Sequence, residues 1–237
     1  MFWRAVCIFI KALDKLLDFA VVFVCGALVF LSLSSMAGDY MMVKAAKDPG
    51  IKAYRQDSSP IEGRLISPFQ AAWLSIDGTD VDFPVMQGED NMEYLNKDPY
   101  GNFSLSGSIF LDYRNRSFDD PYCVVYGHHM EQGAMFGALD SFTDAEYFDA
   151  HRLGRLTTRS EVYNLKLFAA ATADASDPLL FTPQTADPKK VLEHVRELSM
   201  IYFEPDDGTI LALSTCTDGP EDGRLLLLGT LSRDQGQ

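Results

Sequence analysis

The chain has 237 residues, 47% hydrophobic and 23% charged, which suits one ordinary domain plus an appendage and excludes a wholly disordered chain. A formal charge of −14 repels phosphate backbones and argues against nucleic acid as a partner. Four cysteines with no CxxC pair, and four histidines without zinc-site spacing, give a structural metal no support.

Residues 1–18 carry Arg4, Lys11 and Lys15 against Asp14 and Asp18, a slight cationic excess once the amino terminus is counted. Residues 19–38, FAVVFVCGALVFLSLSSMAG, hold no charge, and twenty residues at about 1.5 Å each span a ~30 Å hydrocarbon core. The flanking charges set the N-terminus in the cytoplasm and the rest of the chain outside, as a single-pass protein of the cell membrane. A cleaved signal peptide is the alternative, because Ser35 and Ala37 give a small-x-small pattern. The long leading segment and the length of the apolar run favour an uncleaved anchor. Residues 39–60 form a polar, partly helical connector, and the domain proper is 61–237.

In WLSIDGTDVDFPVM (73–86), two short strand-like runs flank Asp77-Gly78, a favoured hairpin dipeptide. GSIFLDY (107–113) reads as a strand followed by the polar loop RNRSFDD, and CVVYGH (123–128) as the next strand. Aromatic residues recur through 130–152, a mixed helix-turn stretch. VYNLKLFAAAT (162–172) is a long strand. In PKKVLEHVREL (188–198), Pro188 suits a first helical position, and Val191, Leu192, Val195 and Leu198 share one helical face. TILALSTC (209–216) and RLLLLGTL (224–231) are the last strands, joined by TDGPEDG. The pattern predicts a mainly β barrel or sandwich with decorating helices.

Side chains alternate along a strand, so Ile210, Ala212, Ser214 and Cys216 share one side of their strand. A hairpin then brings Arg224 beside Cys216. A thiol becomes a nucleophile when a nearby cation or imidazole stabilises its thiolate, and arginine also holds a developing oxyanion. His128, at the end of another apolar strand, completes the set as proton donor. Each has a plainer reading taken singly: a small core cysteine, a structural histidine, a surface arginine.

YGHHM, GSIFLDY, LSTCT and the following RLLLLG strand together resemble the sortases, specifically class B, over nearly all of 61–231. The order of elements agrees, including a helix just before the cysteine strand. The resemblance implies a closed β-barrel with decorating helices behind one N-terminal transmembrane helix. It further implies a membrane-anchored cysteine transpeptidase on the outer face of a Gram-positive cell, needing no cofactor or metal. By motif position His128 is the catalytic histidine, Cys216 the nucleophile and Arg224 the transition-state arginine. His129 stands where many class B members have Asn. Asn91 and Leu95 match positions lining the sorting-signal groove, although Leu95 also reads as a core leucine. Ser214 and Thr215 match residues flanking the nucleophile. Asp218 is read as orienting the groove or as an ordinary turn aspartate. The groove wall around 177–181 has no motif to fix its register.

The implied partners are the sorting-signal peptide of secreted proteins and an amine acceptor, either cell-wall precursor or pilin lysine. Two other readings stay open: a cysteine hydrolase that releases its peptide, and an inactive membrane-tethered binding domain.

Overall fold

The computed structural model describes residues 2–46, 49–55, 65–216 and 223–234. The chain divides into two units, residues 1–42 and 43–237. The first lies within a 45-residue helix, α1 (Phe2–Ala46). Its stretch Leu13–Gly38 is long and apolar enough to cross a membrane. Within it Ser32 and Ser34 donate their hydroxyls to the carbonyls of Leu28 and Phe30 at 2.9 and 2.6 Å. A polar side chain in an apolar helix is thereby satisfied by its own backbone.

The second unit is a barrel. Its strands are β1 (Gln70–Ile76), β2 (Asp82–Met86), β3 (Ile109–Leu111), β4 (Tyr122–Gly127), β5 (Leu153–Thr158), β6 (Val162–Asp174), β7 (Ser199–Tyr202), β8 (Thr209–Cys216) and β9 (Gly223–Arg233). They run in the order β5-β1-β2-β3-β4-β8-β9-β6, and pairing of β5 with β6 closes the ring. The eight-stranded closure removes free edges, and β7 adds to the far half of long β6. The pairs β2–β3 and β4–β8 are parallel and the others antiparallel. Four shorter helices decorate the unit: α2 (Pro49–Lys52), α3 (Ala145–Ala150), α4 (Pro178–Phe181) and α5 (Pro188–Leu198). The expected mainly β closed barrel with decorating helices is the fold observed.

Alternation along the strands builds two apolar layers. Cys123 and Val125 of β4, Leu211 and Leu213 of β8, and Leu225 and Leu227 of β9 point into the barrel. Their neighbours Tyr122, Val124, Ile210, Ala212, Leu226 and Leu228 point outward, where Val191 and Val195 of α5 and Leu180 of α4 cover them. Each fully buried aliphatic side chain contributes about 1.5–3 kcal/mol by leaving water. Asp187 caps α5 by accepting from the Lys189 amide at 3.0 Å, with Pro188 in the first turn. This outer layer is the wall on which the site is built.

Two expectations needed adjustment. GSIFLDY is a strand only over Ile109–Leu111, since Gly107 has φ +59° and Asp112 already belongs to the loop. Strands β5 and β7 were not foreseen.

Candidate active site

The outward face of β4, β8 and β9 carries chemistry at one end of the barrel. Parallel pairing sets Tyr126 against Ser214 and Gly127 against Thr215. His128 and Cys216 each come directly after the last pair of that ladder, Gly127 and Thr215. Antiparallel pairing of β8 with β9 ends at Cys216 opposite Arg224. Three separate segments thus converge at one rim.

A cleft of about 260 Å³ opens there. From the wall come Tyr126, Gly127, His128, Ser214, Thr215 and Arg224; from the β2–β3 connection come Asn91 and Leu95. Phe110, Ala175 and Phe181 complete the lining. Phe110, Tyr126 and Phe181 form an aromatic row, with centroids 5.4 and 6.5 Å apart in sequence. Ser214 is 1% exposed, and its hydroxyl has no hydrogen-bond partner among the described residues, an unusual condition for a buried polar atom. Thr215 is equally buried. Asp218 lies outside the described residues.

His128 is held by backbone. Its Nε2–H donates to the Leu95 carbonyl at 2.8 Å. Gly107 makes room for that carbonyl: a Cβ there would sit 2.5 Å from the Leu95 oxygen. Gly127 is required as well, because its Cβ would come within 2.7 Å of the Phe136 ring. The two histidines of YGHHM diverge, His129 pairing through Nε2 with Asp140 at 2.6 Å. Arg224 donates to the Gly223 carbonyl at 3.0 Å, and no carboxylate among the described residues lies at ion-pair distance from it. Among the same residues no group of His, Cys, Asp and Glu is placed to hold a metal ion.

The family model of the sortase domain matches residues 74–232, about two thirds of the chain. The chain belongs to the sortase family. Sortase B of Listeria monocytogenes is 31% identical over 167 residues, 67% of this chain and 68% of that protein. Sortase B of Staphylococcus aureus is 28% identical over 62% of each chain, so the match spans somewhat less than two thirds of that relative. Among solved structures, a Streptococcus pyogenes class B sortase involved in pilus biogenesis superposes with TM-score 0.65 at 35% identity, covering 80% of this chain and all of that one. Clostridium perfringens sortase B gives TM-score 0.64 at 29% identity, over 70% and 96%. These relatives place the chain in class B, and sortases are cysteine transpeptidases.

The sortase cleft contains residues that sequence reasoning missed. Tyr126 stands two positions before His128, which directly follows β4, so the period-two alternation of that run was a usable signal for it. Phe110 and Phe181 had no such signal, because the three-residue strand β3 and the one-turn helix α4 that deliver them carry no motif that fixes their register. In contrast, Cys123 is fully buried inside the barrel, its thiol directed to the Ser117 and Asp120 carbonyls at 3.4 and 3.7 Å. Burial pushes that thiol well above its usual range, which suppresses the thiolate.

Proposed function

We propose that this sortase cleaves the C-terminal sorting signal of secreted proteins and joins them to an amine. Cys216 attacks the carbonyl carbon of the scissile peptide bond. Arg224 holds the resulting oxyanion, and His128 gives a proton to the departing amine as the C–N bond breaks. The thioester on Cys216 is then attacked by the acceptor amine. Its surplus proton returns to His128, and the Cys216 thiolate leaves.

The observation that supports this reading is that His128 lines one cleft with Arg224, the cross-strand partner of Cys216. The bond from His128 to the Leu95 carbonyl keeps a proton on Nε2. With Nε2–H engaged by that carbonyl, the proton available for transfer is the one on Nδ1. Asn91, Leu95, Ser214 and Thr215 line the space for the peptide, and the orphan hydroxyl of Ser214 has a partner to gain there. Asp218 is retained as a groove-orienting residue from its motif position.

The apolar segment of α1 serves as an uncleaved anchor, with Arg4, Lys11 and Lys15 on the cytoplasmic side and the barrel outside. The acceptor is a cell-wall precursor amine or a pilin lysine; the pilus role of the S. pyogenes relative favours testing the lysine first. The test incubates the full chain, in detergent, with a library of sorting-signal peptides and each amine. Joined product, lost in Cys216→Ala, is expected. Release unaffected by added amine would make the protein a hydrolase, and function surviving Cys216→Ala would make it a binding domain.

A further inference from the structure

Beyond the nucleophile and its helpers, one carboxylate organises the cleft from behind. Asp112 is 0% exposed, and its carboxylate accepts five hydrogen bonds. Its Oδ1 accepts from the backbone amide and Nε of Arg114, both at 2.9 Å. Its Oδ2 accepts from Arg114 Nη2 at 2.7 Å, Asn91 Nδ2 at 2.9 Å and the Tyr126 hydroxyl at 3.0 Å. Arg114 Nη2 donates onward to the Phe181 carbonyl at 2.6 Å. Three cleft-lining residues, from the β2–β3 connection, β4 and α4, are therefore tied to one buried ion pair.

We propose that Asp112 is a positioning residue for the peptide cleft, setting Asn91 and Tyr126 directly and Phe181 through Arg114. This rests on the reading of the cleft as the peptide site. The Asn91 amide shows how the positioning works. Its Oδ1 accepts from the Tyr113 amide at 3.0 Å while one N–H goes to Asp112, which fixes the side-chain flip and leaves one N–H without a partner among the described residues. Asn91 lines the cleft, so that remaining donor is available to a peptide carbonyl. Without the Asp112 acceptor, the amide has no reason to hold this orientation.

The alternative is a buried ion pair that only stabilises the fold. Such pairs are weak contributors to stability, because desolvation offsets their attraction. Here the pair also spans elements that are far apart in sequence: residues 91, 112, 126 and 181 meet nowhere else in the chain's local order. Asp112 is itself seated by backbone, its amide donating to the Val124 carbonyl at 2.8 Å and its carbonyl accepting from Gln87 Nε2 at 3.1 Å. The carboxylate therefore stays in place, and its partners move when it is lost.

Asp112→Asn separates the two roles. The carboxamide has the same shape but turns one acceptor into a donor, facing either the Arg114 fork or the Asn91–Tyr126 pair. The measurement uses the full chain in detergent and a sorting peptide that the parent cleaves, with alkylation of Cys216 by iodoacetamide as an independent report on the thiol. Expected for Asp112→Asn is a KM raised about tenfold or more, with kcat within about threefold and an unchanged alkylation rate. If that variant does not fold, Arg114→Lys decides. It keeps the charge beside Asp112 but lacks the fork that also reaches Phe181, and a KM rise of about threefold or more is expected. A parental KM in the folded variant, with only a lowered melting temperature, would overturn the proposal; so would a loss confined to kcat. If the parent cleaves no peptide but its Cys216 alkylates normally, the peptide-cleft reading fails first and takes this proposal with it.

Discussion

Cys216 and Arg224 are the last cross-strand pair of the β8–β9 ladder, at the end of the barrel where the cleft opens. A directly opposed pair lies about 4.5–5.5 Å apart, close enough for a guanidinium to reach an oxyanion formed on a substrate joined to that cysteine. Removing one oxyanion donor typically costs about 10²–10³ in rate. Arg224→Ala is expected to lose turnover by that order while melting near the parental temperature. Arg224→Lys should recover only part, since lysine keeps the charge without the fork. Parental turnover in a folded Arg224→Ala would remove Arg224 from the chemistry.

His128 and His129 separate by partner. The first lines the cleft and is held by the Leu95 carbonyl, whereas the second pairs with Asp140. His128→Ala should lose about 10²-fold or more in peptide cleavage. His129→Asn should stay within roughly tenfold, or ~1.4 kcal/mol of barrier. Equal losses in the two variants would contradict the assignment.

Gly107 supports His128 at one remove. Its φ of +59° disfavours any side chain, and an added Cβ would meet the Leu95 carbonyl that accepts from His128. Gly107→Ala is expected to cost about 1–3 kcal/mol of stability from the backbone alone. It should also slow peptide cleavage, measured below the variant's melting temperature. Unchanged kinetics in the folded variant would show that the carbonyl does not set the histidine.

The site was partly legible in the sequence because alternation does most of the placing. Tyr126 and His128, and Ser214 and Cys216, are two apart on strands whose apolar character is plain, and Arg224 opens the strand returning from Cys216. Helix α5 was equally plain from its apolar face and from Pro188 at its first position. Strand β7 was hidden because it is four residues that exist only by pairing with a bulged part of β6. LGRLTT of β5 mixes exposed and buried positions without clean alternation and is fixed by neighbours on both sides. Asp112, read as part of the strand GSIFLDY, instead lies just past β3 and is fully buried. Nothing local in a chain says that a loop aspartate will meet Asn91 and Tyr126.

Acid sensitivity follows from that aspartate. Burial alone would raise the Asp112 carboxyl, but hydrogen bonds from Arg114 and Asn91 outweigh it and hold the group below its usual range. A depressed folded-state value adds stability that is fully present above the unfolded value of about 3.9. That contribution is lost as pH falls through the folded value. The parent's melting temperature should therefore fall below about pH 4 more steeply than that of Asp112→Asn. Parallel curves would show that the ionised carboxylate contributes nothing to folding.

Reactivity should distinguish the two thiols of the barrel unit. Cys123 is sealed in the barrel with its thiolate disfavoured. Its strand partner is Leu211, five residues before Cys216 and so about 16 Å from it along β8. A disulfide requires Cα atoms within about 7 Å. After iodoacetamide treatment of the folded protein, peptide mapping should find Cys216 alkylated and Cys123 unmodified. A Cys123–Cys216 bridge in active protein would contradict this.

The most direct test of cysteine transpeptidation is to trap the intermediate. The full chain is mixed with a sorting-signal peptide without added amine, quenched in acid and analysed by intact mass and peptide mapping. The expected result is a mass increase equal to the N-terminal peptide fragment, joined as a thioester at Cys216. It should disappear when an acceptor amine is added before the quench, as the joined product forms. Peptide cleavage at the parental rate by Cys216→Ala, with no acyl adduct on the parent, would contradict it.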